Sequence, residues 1–310
     1  MRLGLHVLGI GAGADRAVID AVAAAAERCG FATLWSGEHV VMVDRPASVY
    51  PYSDDGRIAV PAAADWIDPM IGLSFAAAAT SRIGIATGVL LLPEHNPVLV
   101  AKQAATLDTL SAGRLTLGVG IGWAREEFDA LGVPFERRAA RTAEYVAAMR
   151  TLWRDDVASF DGEFVSFDSV RVNPKPFGRR RIPIVVGGNS DAALRRVVAW
   201  GDGWYGFNVA GVRAVAERVD FLRARCSQRG RDLGELRLAV ALRDLKVRDV
   251  VPLAELGVDE LVLVEGPPTN ARIAVDWVSA LAEHWLSVLA ELTSSRARRR
   301  AASAVRCSRA

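Results

Sequence analysis

The feature that most constrains the fold is a regular alternation of strand-length apolar runs with longer helical patterns. This alternation is typical of a parallel sheet built from strand-helix units. Helices are predicted over residues 17–29, where one face is rich in alanine, and 97–110, where Asn96-Pro97 is a start signal. Eight strands are predicted, over residues 3–8, 33–36, 83–91, 114–119, 182–186, 203–207, 236–242 and 260–264.

Eight such units over roughly 250 residues match a closed (β/α)8 barrel, whereas an open doubly wound sheet usually has fewer strands. The predicted fold class is therefore α/β, a single (β/α)8 TIM barrel over residues 1–293, with insertions after strands two and four. The first insertion, residues 43–68, is a long loop of the kind that forms lids. The second, residues 124–181, holds two helical stretches and a predicted hairpin with Asp161-Gly162 at its turn.

Charge and composition narrow the possible partners. Residues 296–310 hold six arginines and no acid, and without them 32 Lys and Arg face 36 Asp and Glu. The body is thus mildly acidic and lacks the basic face that nucleic acid requires, while the tail, residues 294–310, is expected to be disordered. Apolar runs are too short for a membrane span. Three widely spaced cysteines predict neither a disulfide framework nor a metal site, so a cytoplasmic protein is expected.

The leading catalytic candidates are Glu38 and His39, which follow the second strand. In a barrel the carboxyl ends of the strands carry the chemistry. An imidazole titrates near working pH, and the adjacent carboxylate can orient or charge it. The alternative is an ordinary surface pair. His6 and His95 are secondary candidates, and His284 is most simply structural.

A buried strand runs into Gly187, Gly188, Asn189 and Ser190, with a predicted helix beyond. Glycines allow close approach of the backbone, Asn189 or Ser190 can cap the helix, and free amides with the helix dipole favour a phosphate. The sequence indicates an anion site here. In the alternative, the two glycines only turn the chain.

Strand four ends in alternate glycines, Gly118, Gly120 and Gly122, before Trp123. Such a run leaves a surface without side chains on which a planar ring can lie, with Trp123 as a wall. Close backbone packing is the other explanation.

The residues Gly9-Ile10-Gly11-Ala12-Gly13-Ala14 satisfy the dinucleotide-binding fingerprint with alanine in the third place, and Glu38 stands near the ribose-binding position. The spacing to Glu38 is long, however, and eight strand-helix units suit a barrel better than an open sheet. A flexible first loop at the barrel mouth is therefore favoured over a dinucleotide site.

Together these segments resemble the luciferase-like monooxygenase superfamily, in particular its probable coenzyme F420-dependent oxidoreductases. The likeness covers residues 1–265 and is most specific over residues 80–93, continuing through Asn96-Pro97, Lys102-Gln103 and Gly113-Arg114 to Gly122-Trp123. Later matches are Glu126-Glu127-Phe128, Asn173-Pro174-Lys175-Pro176 and Gly201-Asp202-Gly203-Trp204.

The resemblance implies a deazaflavin across the carboxyl ends of the strands, with its phosphate near Gly187 to Ser190. It implies a non-proline cis peptide at Gly88-Val89 beneath the ring, and His39 as the group that handles the proton. Trp123 departs from the pattern of related sugar-phosphate dehydrogenases, which carry a glutamate after that glycine. Substrate choice is expected to depend on Tyr50, Tyr52, Trp66 and Trp123.

The expected function is that of a coenzyme F420-dependent oxidoreductase that exchanges hydride between a deazaflavin and a small organic substrate. A luciferase-like monooxygenase dependent on FMNH2 is the alternative within enzymes, with FMN as cofactor. A third possibility is a non-catalytic deazaflavin carrier. Because relatives are often dimers, a homodimer is a further expectation.

Overall fold

Parallel strands close into a barrel because the last strand in chain order pairs with the first. The computed structural model describes residues 1–307, and side chains for residues 1–290. The barrel strands are β1 (Arg2–Leu8), β2 (Thr33–Ser36), β3 (Gly84–Thr87), β4 (Leu90–Leu91), β5 (Leu115–Gly120), β8 (Ile184–Gly187), β9 (Gly203–Val209), β10 (Arg237–Leu242) and β11 (Glu260–Val264). β1 pairs with both β2 and β11, and β3 pairs with β5 to complete the ring. The predicted (β/α)8 barrel is confirmed.

The third strand is broken where one continuous strand was expected over residues 83–91. β3 and β4 are separated by Gly88-Val89, whose peptide bond is cis, as the family resemblance implies. Both pieces pair with β5, through Ile85 opposite Leu115 and Leu90 opposite Val119. The two pieces therefore form one position in the ring, and the barrel has eight.

Helices cover the outside of the ring. Several of them begin at residues whose side chains accept from an amide of the first turn, among them Asp15, Asp68, Asn96 and Ser190. The helices are α1 (Arg16–Cys29), α2 (Pro69–Ala78), α3 (Pro97–Leu110), α4 (Arg125–Ala130), α5 (Arg138–Arg154), α6 (Asp191–Trp200), α7 (Val212–Gln228), α8 (Val250–Glu255) and α9 (Ala271–Cys307).

Both insertions lie where the sequence predicts them. The first is the irregular chain between β2 and α2. The second, between β5 and β8, contains α4, α5 and an antiparallel hairpin of β6 (Ala158–Asp161) and β7 (Ser166–Val170), in which Phe160 lies opposite Phe167. Because both follow carboxyl ends of strands, both lie on the same end of the barrel.

The amino-terminal end of the barrel interior is filled. Trp35 stacks on Tyr205 with ring centroids 4.5 Å apart. Below them the fully buried Glu260 accepts from Trp35 Nε1 at 2.9 Å and Thr33 Oγ1 at 3.2 Å, and it is paired with Arg237. Since this polar cluster closes the bottom, a ligand can enter only from the opposite end.

The last helix packs against the barrel. Residues Ala271–Ala290 of α9 are long and apolar enough to pass a membrane-span test on length and composition. However, Ala274 and Val278 are fully buried, and α9 contacts α1. A helix of the barrel accounts for this segment. The disorder expected for residues 294–310 concerns a segment outside the fully described residues and stays a prediction.

Candidate active site

A cavity of about 460 Å3 opens at the carboxyl ends of the strands. Its floor comes from strand ends, including His6, Gly88-Val89 and Gly187-Gly188, and its roof from the first insertion. The volume lies within the usual range for small-molecule and cofactor sites. Its aromatic lining is Tyr50, Tyr52, Trp66, Trp123, Tyr205 and Phe207.

His39 is held by a buried glutamate from another part of the chain. Its Nδ1 lies 2.8 Å from Oε2 of Glu127 on α4, and the two side chains are only 8% and 1% exposed. The other oxygen of Glu127 accepts from the amides of Val40 at 2.7 Å and Val41 at 3.3 Å. With Nδ1 engaged, Nε2 is left for the cavity that His39 lines.

Glu38 does not orient His39, although it precedes it in the chain. One of its oxygens accepts from the amide of Leu91 at 2.5 Å, and the other lies 3.0 Å from His95 Nε2. Successive side chains in an extended segment point in opposite directions, so adjacency does not bring the pair together. Glu127, rather than Glu38, is therefore the residue that orients His39. The contacts of Glu38 connect the loop after β2 with Leu91 and His95.

His95 pairs with Glu38 and is not among the residues that line the cavity. Burial by itself lowers the pKa of His95. The hydrogen bond to Glu38 and the charges of Glu38, Asp68 and Glu127 outweigh burial, so the pKa is raised. His95 is therefore suited to carry a positive charge beside Glu38.

The glycines predicted to support a ring instead surround one side chain. A β-carbon at Gly120 would lie 2.7 Å from Val89 Cγ2, and one at Gly187 would lie 2.9 Å from Val89 Cγ1. Only glycine at both positions leaves room for Val89 beside the barrel axis. Gly88, Val89 and Gly187 line the cavity, while Gly120 lies behind Val89.

The glycine turn predicted at Gly187-Gly188 lies at the end of β8, as expected. Gly188 has a φ of +114°, a value that L side chains rarely adopt, and lines the cavity. Ser190 caps α6 by accepting from the amide of Ala193 at 3.2 Å. Asn189 donates to the carbonyl of Phe207 at 2.7 Å, whereas its buried Oδ1 has no partner among the described residues. Asn189 and Ser190 stand behind the two glycines.

Trp123 lines the cavity and Gly122 does not. The Trp123 ring meets His39 edge-on at 5.8 Å, and its buried Nε1 lacks a partner within the described part of the chain. Gly122 is turned inward, since a β-carbon there would lie 2.5 Å from the ring of Phe128.

The family pattern of the luciferase-like monooxygenases matches residues 6–245, a span that holds His39, Glu127 and the Gly187-Gly188 turn. This chain belongs to the luciferase-like monooxygenase family.

Proteins similar to this luciferase-like chain in sequence or in fold carry names that mention FMNH(2) or coenzyme F420. An uncharacterized protein of Mycobacterium tuberculosis is 37% identical over 271 residues, covering 86% of this chain and 94% of the relative. The FMNH(2)-dependent dimethylsulfone monooxygenase of Pseudomonas fluorescens is 35% identical over 153 residues, covering 48% and 41%. The coenzyme F420-dependent tetrahydromethanopterin reductase of Methanopyrus kandleri shares the fold, with a TM-score of 0.68 at 17% identity over 88% of this chain and 96% of that one.

His6 in this luciferase-like barrel has a neutral, buried environment. Its Nδ1 lies 2.7 Å from the hydroxyl of Tyr205, and burial lowers the pKa of His6 to about 4. Burial also raises the pKa of Tyr205. His6 and Tyr205 therefore form a neutral hydrogen-bonded pair in the floor of the cavity.

The roof of the luciferase-like site is fastened on several sides. Glu126 Oε1 accepts from the amides of Ala47 and Ser48 at 2.6 and 3.0 Å, and Asn208 donates to the carbonyl of Tyr52 at 2.6 Å. On the opposite side, the amide of Gly11 donates to the carbonyl of Asp65 at 2.8 Å. The glycine-rich first loop thus holds the base of the roof. The dinucleotide interpretation requires an open sheet, whereas the sheet here is a closed barrel.

Sequence reasoning missed Glu127 as a site residue. The only available signal was its place in Glu126-Glu127-Phe128, among the segments of the family resemblance. Nothing in local spacing connects it with His39, because the two residues are 88 positions apart.

Proposed function

We propose that this protein is a coenzyme F420-dependent oxidoreductase that exchanges hydride between a deazaflavin and a small, largely apolar organic substrate. One observation carries the proposal. The buried pair of His39 and Glu127 opens into the same cavity as Gly88-Val89 and the Gly187-Gly188 turn. A proton-handling group and a floor suited to a planar ring therefore share one space.

The residues present fit such a cofactor. The glycine turn at Gly187-Gly188 offers main chain without side chains, and a β-carbon on Gly188 would lie 3.0 Å from Ala193 Cβ and 3.6 Å from the Tyr52 hydroxyl. The first amides of α6 lack intrahelical partners and favour an anion. The free main-chain amides of this turn and of the start of α6 would hold the phosphate, and Val89 would lie beneath the ring. The unpartnered Oδ1 of Asn189 beside the turn can only accept, so it would suit a hydroxyl of the cofactor rather than its phosphate.

When bound, the deazaflavin supplies hydride transfer, which protein side chains do not provide. His39 gives the accompanying proton from Nε2 to the substrate, or takes it in the reverse direction. Glu127 fixes the imidazole with Nδ1 toward itself, so that Nε2 is directed to the cavity. Trp66 and Trp123 enclose His39 edge-on at 4.8 and 5.8 Å and exclude water.

The cavity also indicates what the substrate resembles. Besides its aromatic walls it is lined by Ile10, Ile58, Val60 and Leu91, so the greater part of its surface is apolar. A compact carbonyl or enone compound fits this lining, with its oxygen near His39. Charged sugar phosphates fit it poorly, in keeping with tryptophan at position 123.

The decisive experiment is a fluorescence titration of the purified protein with coenzyme F420 and, in parallel, with FMN. Tighter binding of F420, followed by protein-dependent oxidation of the reduced cofactor with an enone, quinone or aldehyde, supports the proposal. Binding of F420 without turnover across the whole acceptor panel supports the carrier function instead.

An FMNH2-dependent monooxygenase is the second candidate, favoured by the 35% identity to the dimethylsulfone monooxygenase over about half of this chain. The same phosphate turn and ring floor serve either cofactor. Preferential binding of FMN, with oxygen consumption that depends on a reduced flavin and on substrate, would establish this function and exclude the deazaflavin proposal.

A further inference from the structure

A third glutamate lies beside the two that hold the histidines. Glu94 ends the turn Leu92–Glu94, directly after β4, and is only 7% exposed. Neither carboxyl oxygen has a hydrogen-bond partner among the described residues. A buried carboxyl without any partner is costly in a folded protein, so its presence beside an active site calls for a physical explanation.

The three carboxyl groups differ in what they accept. Glu127 accepts from two amides and contacts His39, and Glu38 accepts from one amide and contacts His95. Glu94 receives no such donor. Burial first, and then the charges of Glu127 and Glu38, raise the pKa of Glu94 to about 9. Glu94 is thus the member of the cluster that keeps a proton at neutral pH.

The chain keeps space for this carboxyl. A β-carbon on Gly122 would lie 2.8 Å from Glu94 Oε1, and Gly122 has a φ of +73°. The carbonyl of Gly122 is turned toward α5, where it accepts from Arg138 Nε at 3.2 Å. Any other residue at position 122 would displace Glu94 or Phe128.

We propose that Glu94 is a proton-carrying positioning residue that acts on His39 through Glu127. With Glu94 neutral, two carboxylates face two histidines. An ionised Glu94 would add a third negative charge near His39. Because that charge stabilises the positive form of His39, the histidine would release its proton to the substrate less readily. The inference rests on the proposed role of His39 as proton donor, but the arrangement of the cluster does not depend on a cofactor.

The groups that determine this behaviour come from four segments. Glu38 and His39 follow β2, Glu127 lies on α4, and His95 follows Glu94 itself. Arg138 of α5 is directed to the Gly122 carbonyl. Glu94 is therefore exposed to the charges of both histidine-glutamate pairs, through Glu127 and Glu38.

The first test is spectroscopic and uses the whole protein without cofactor. The carboxyl carbon of Glu94 is followed by NMR against pH, assigned by its loss in Glu94→Gln, together with the ring nitrogens of His39, assigned by their loss in His39→Asn. We expect the Glu94 carboxyl to titrate in the alkaline range and the His39 signals to show a second inflection there. Glutamine in place of Glu94 should remove that inflection.

A carboxyl carbon of Glu94 that titrates in the ordinary acidic range would overturn the proposal, as would identical His39 curves in the parent protein and Glu94→Gln. If Glu94→Gln does not fold, the Glu94 carboxyl carbon is assigned instead by through-bond correlation to its own backbone, and its curve in the parent protein decides the first point. Glu136→Gln is the matched control, since Glu136 is exposed and pairs with Arg125, and it should leave the His39 curve unchanged.

The second test separates this inference from the proposed function. If the reaction proceeds, the ratio of kcat between the parent protein and Glu94→Gln should vary with pH on the alkaline side. A constant ratio would indicate a merely structural residue and contradict the proposal. Failure of F420 binding would overturn the proposed function while leaving the spectroscopic result to decide the role of Glu94.

Discussion

His39 Nδ1 and Glu127 Oε2 lie 2.8 Å apart, with both side chains buried at the carboxyl end of the barrel. A carboxylate on one ring nitrogen determines which nitrogen faces the reacting atoms. The same carboxylate holds the amides of Val40 and Val41. Glu127 thus fixes both the histidine and the chain that follows it, so the geometry of the site depends on α4 as much as on β2.

Replacing Glu127 with Gln should lower kcat by about 100-fold or more, the low end of what a positioned acid or base contributes. The amide group keeps an oxygen for Val40 and Val41 but cannot support a charged imidazole. Cofactor affinity should change little, because Glu127 is not among the cavity-lining residues. Steady-state kinetics and fluorescence titration of the cofactor measure the two quantities separately.

For this prediction Glu136→Gln is the control, as an exposed acid outside the site. A parallel loss of kcat and of cofactor affinity in Glu127→Gln would show that Glu127 maintains the fold of the site rather than the proton chemistry.

Gly120→Ala should weaken cofactor binding by crowding Val89. The new β-carbon would lie 2.7 Å from Val89 Cγ2, closer than carbon atoms approach one another, so Val89 must move. Added methyl groups in packed interiors cost about 1 to 3 kcal/mol. The double variant Gly120→Ala, Val89→Ala restores the lost space and should recover part of the affinity. If the single variant binds cofactor as well as the parent protein does, Val89 is not the floor of the ring site.

The barrel could be predicted from the sequence because its signal is periodic and repeated. Strand-length apolar runs recur between helical patterns, so each strand-helix unit gives the same local signal and eight units reinforce one another. The break in strand three is different: Gly84 to Leu91 is uniformly compatible with a strand, and no local pattern marks the turn of the chain at Gly88-Val89. Only the family resemblance pointed to it.

The candidate site could be predicted in part, for a related reason. His39, Trp123 and Gly187-Gly188 each follow a strand, and a barrel brings the carboxyl ends of its strands together. The partner of His39 lies on a helix within an insertion, whose position depends on packing. Adjacency favoured Glu38, and the tertiary structure provides Glu127.

The buried His6 should make the protein sensitive to acid. Its pKa is about 4 in the folded state, below the ordinary value of 6.5. Between these two pH values the unfolded chain binds more protons than the folded one, so stability decreases as pH falls through this window. The slope is at most about 1.4 kcal/mol per pH unit. Thermal unfolding at several pH values should show a shallower acid-side decline in His6→Asn than in the parent protein.

His284→Asn provides the comparison for His6, because His284 lies on an exposed face of α9. It should leave the acid-side decline as it is in the parent protein. An equal decline in His6→Asn and the parent would mean that His6 is protonated in the folded state at moderately acid pH.

Glu126 should govern access to the cavity rather than the chemistry within it. Its Oε1 holds the amides of Ala47 and Ser48, and Ser48 Oγ in turn accepts from the amide of Arg125 at 3.0 Å. Adjacent residues of one helical turn therefore fasten the roof and orient His39. Glu126→Ala removes only the first of these functions, since Glu127 remains in place.

The expected result for Glu126→Ala is faster cofactor dissociation and a KM raised roughly five-fold, the equivalent of about 1 kcal/mol for the lost hydrogen bonds. The rate of the proton-dependent step should not fall with it. Hydrogen exchange of the Ala47 and Ser48 amides, measured in the same variant, should accelerate because their acceptor is gone. A fall in kcat with unchanged KM and unchanged exchange would instead place Glu126 with Glu127, and other contacts of the roof, such as those of Asn208 and the first loop, would then hold it.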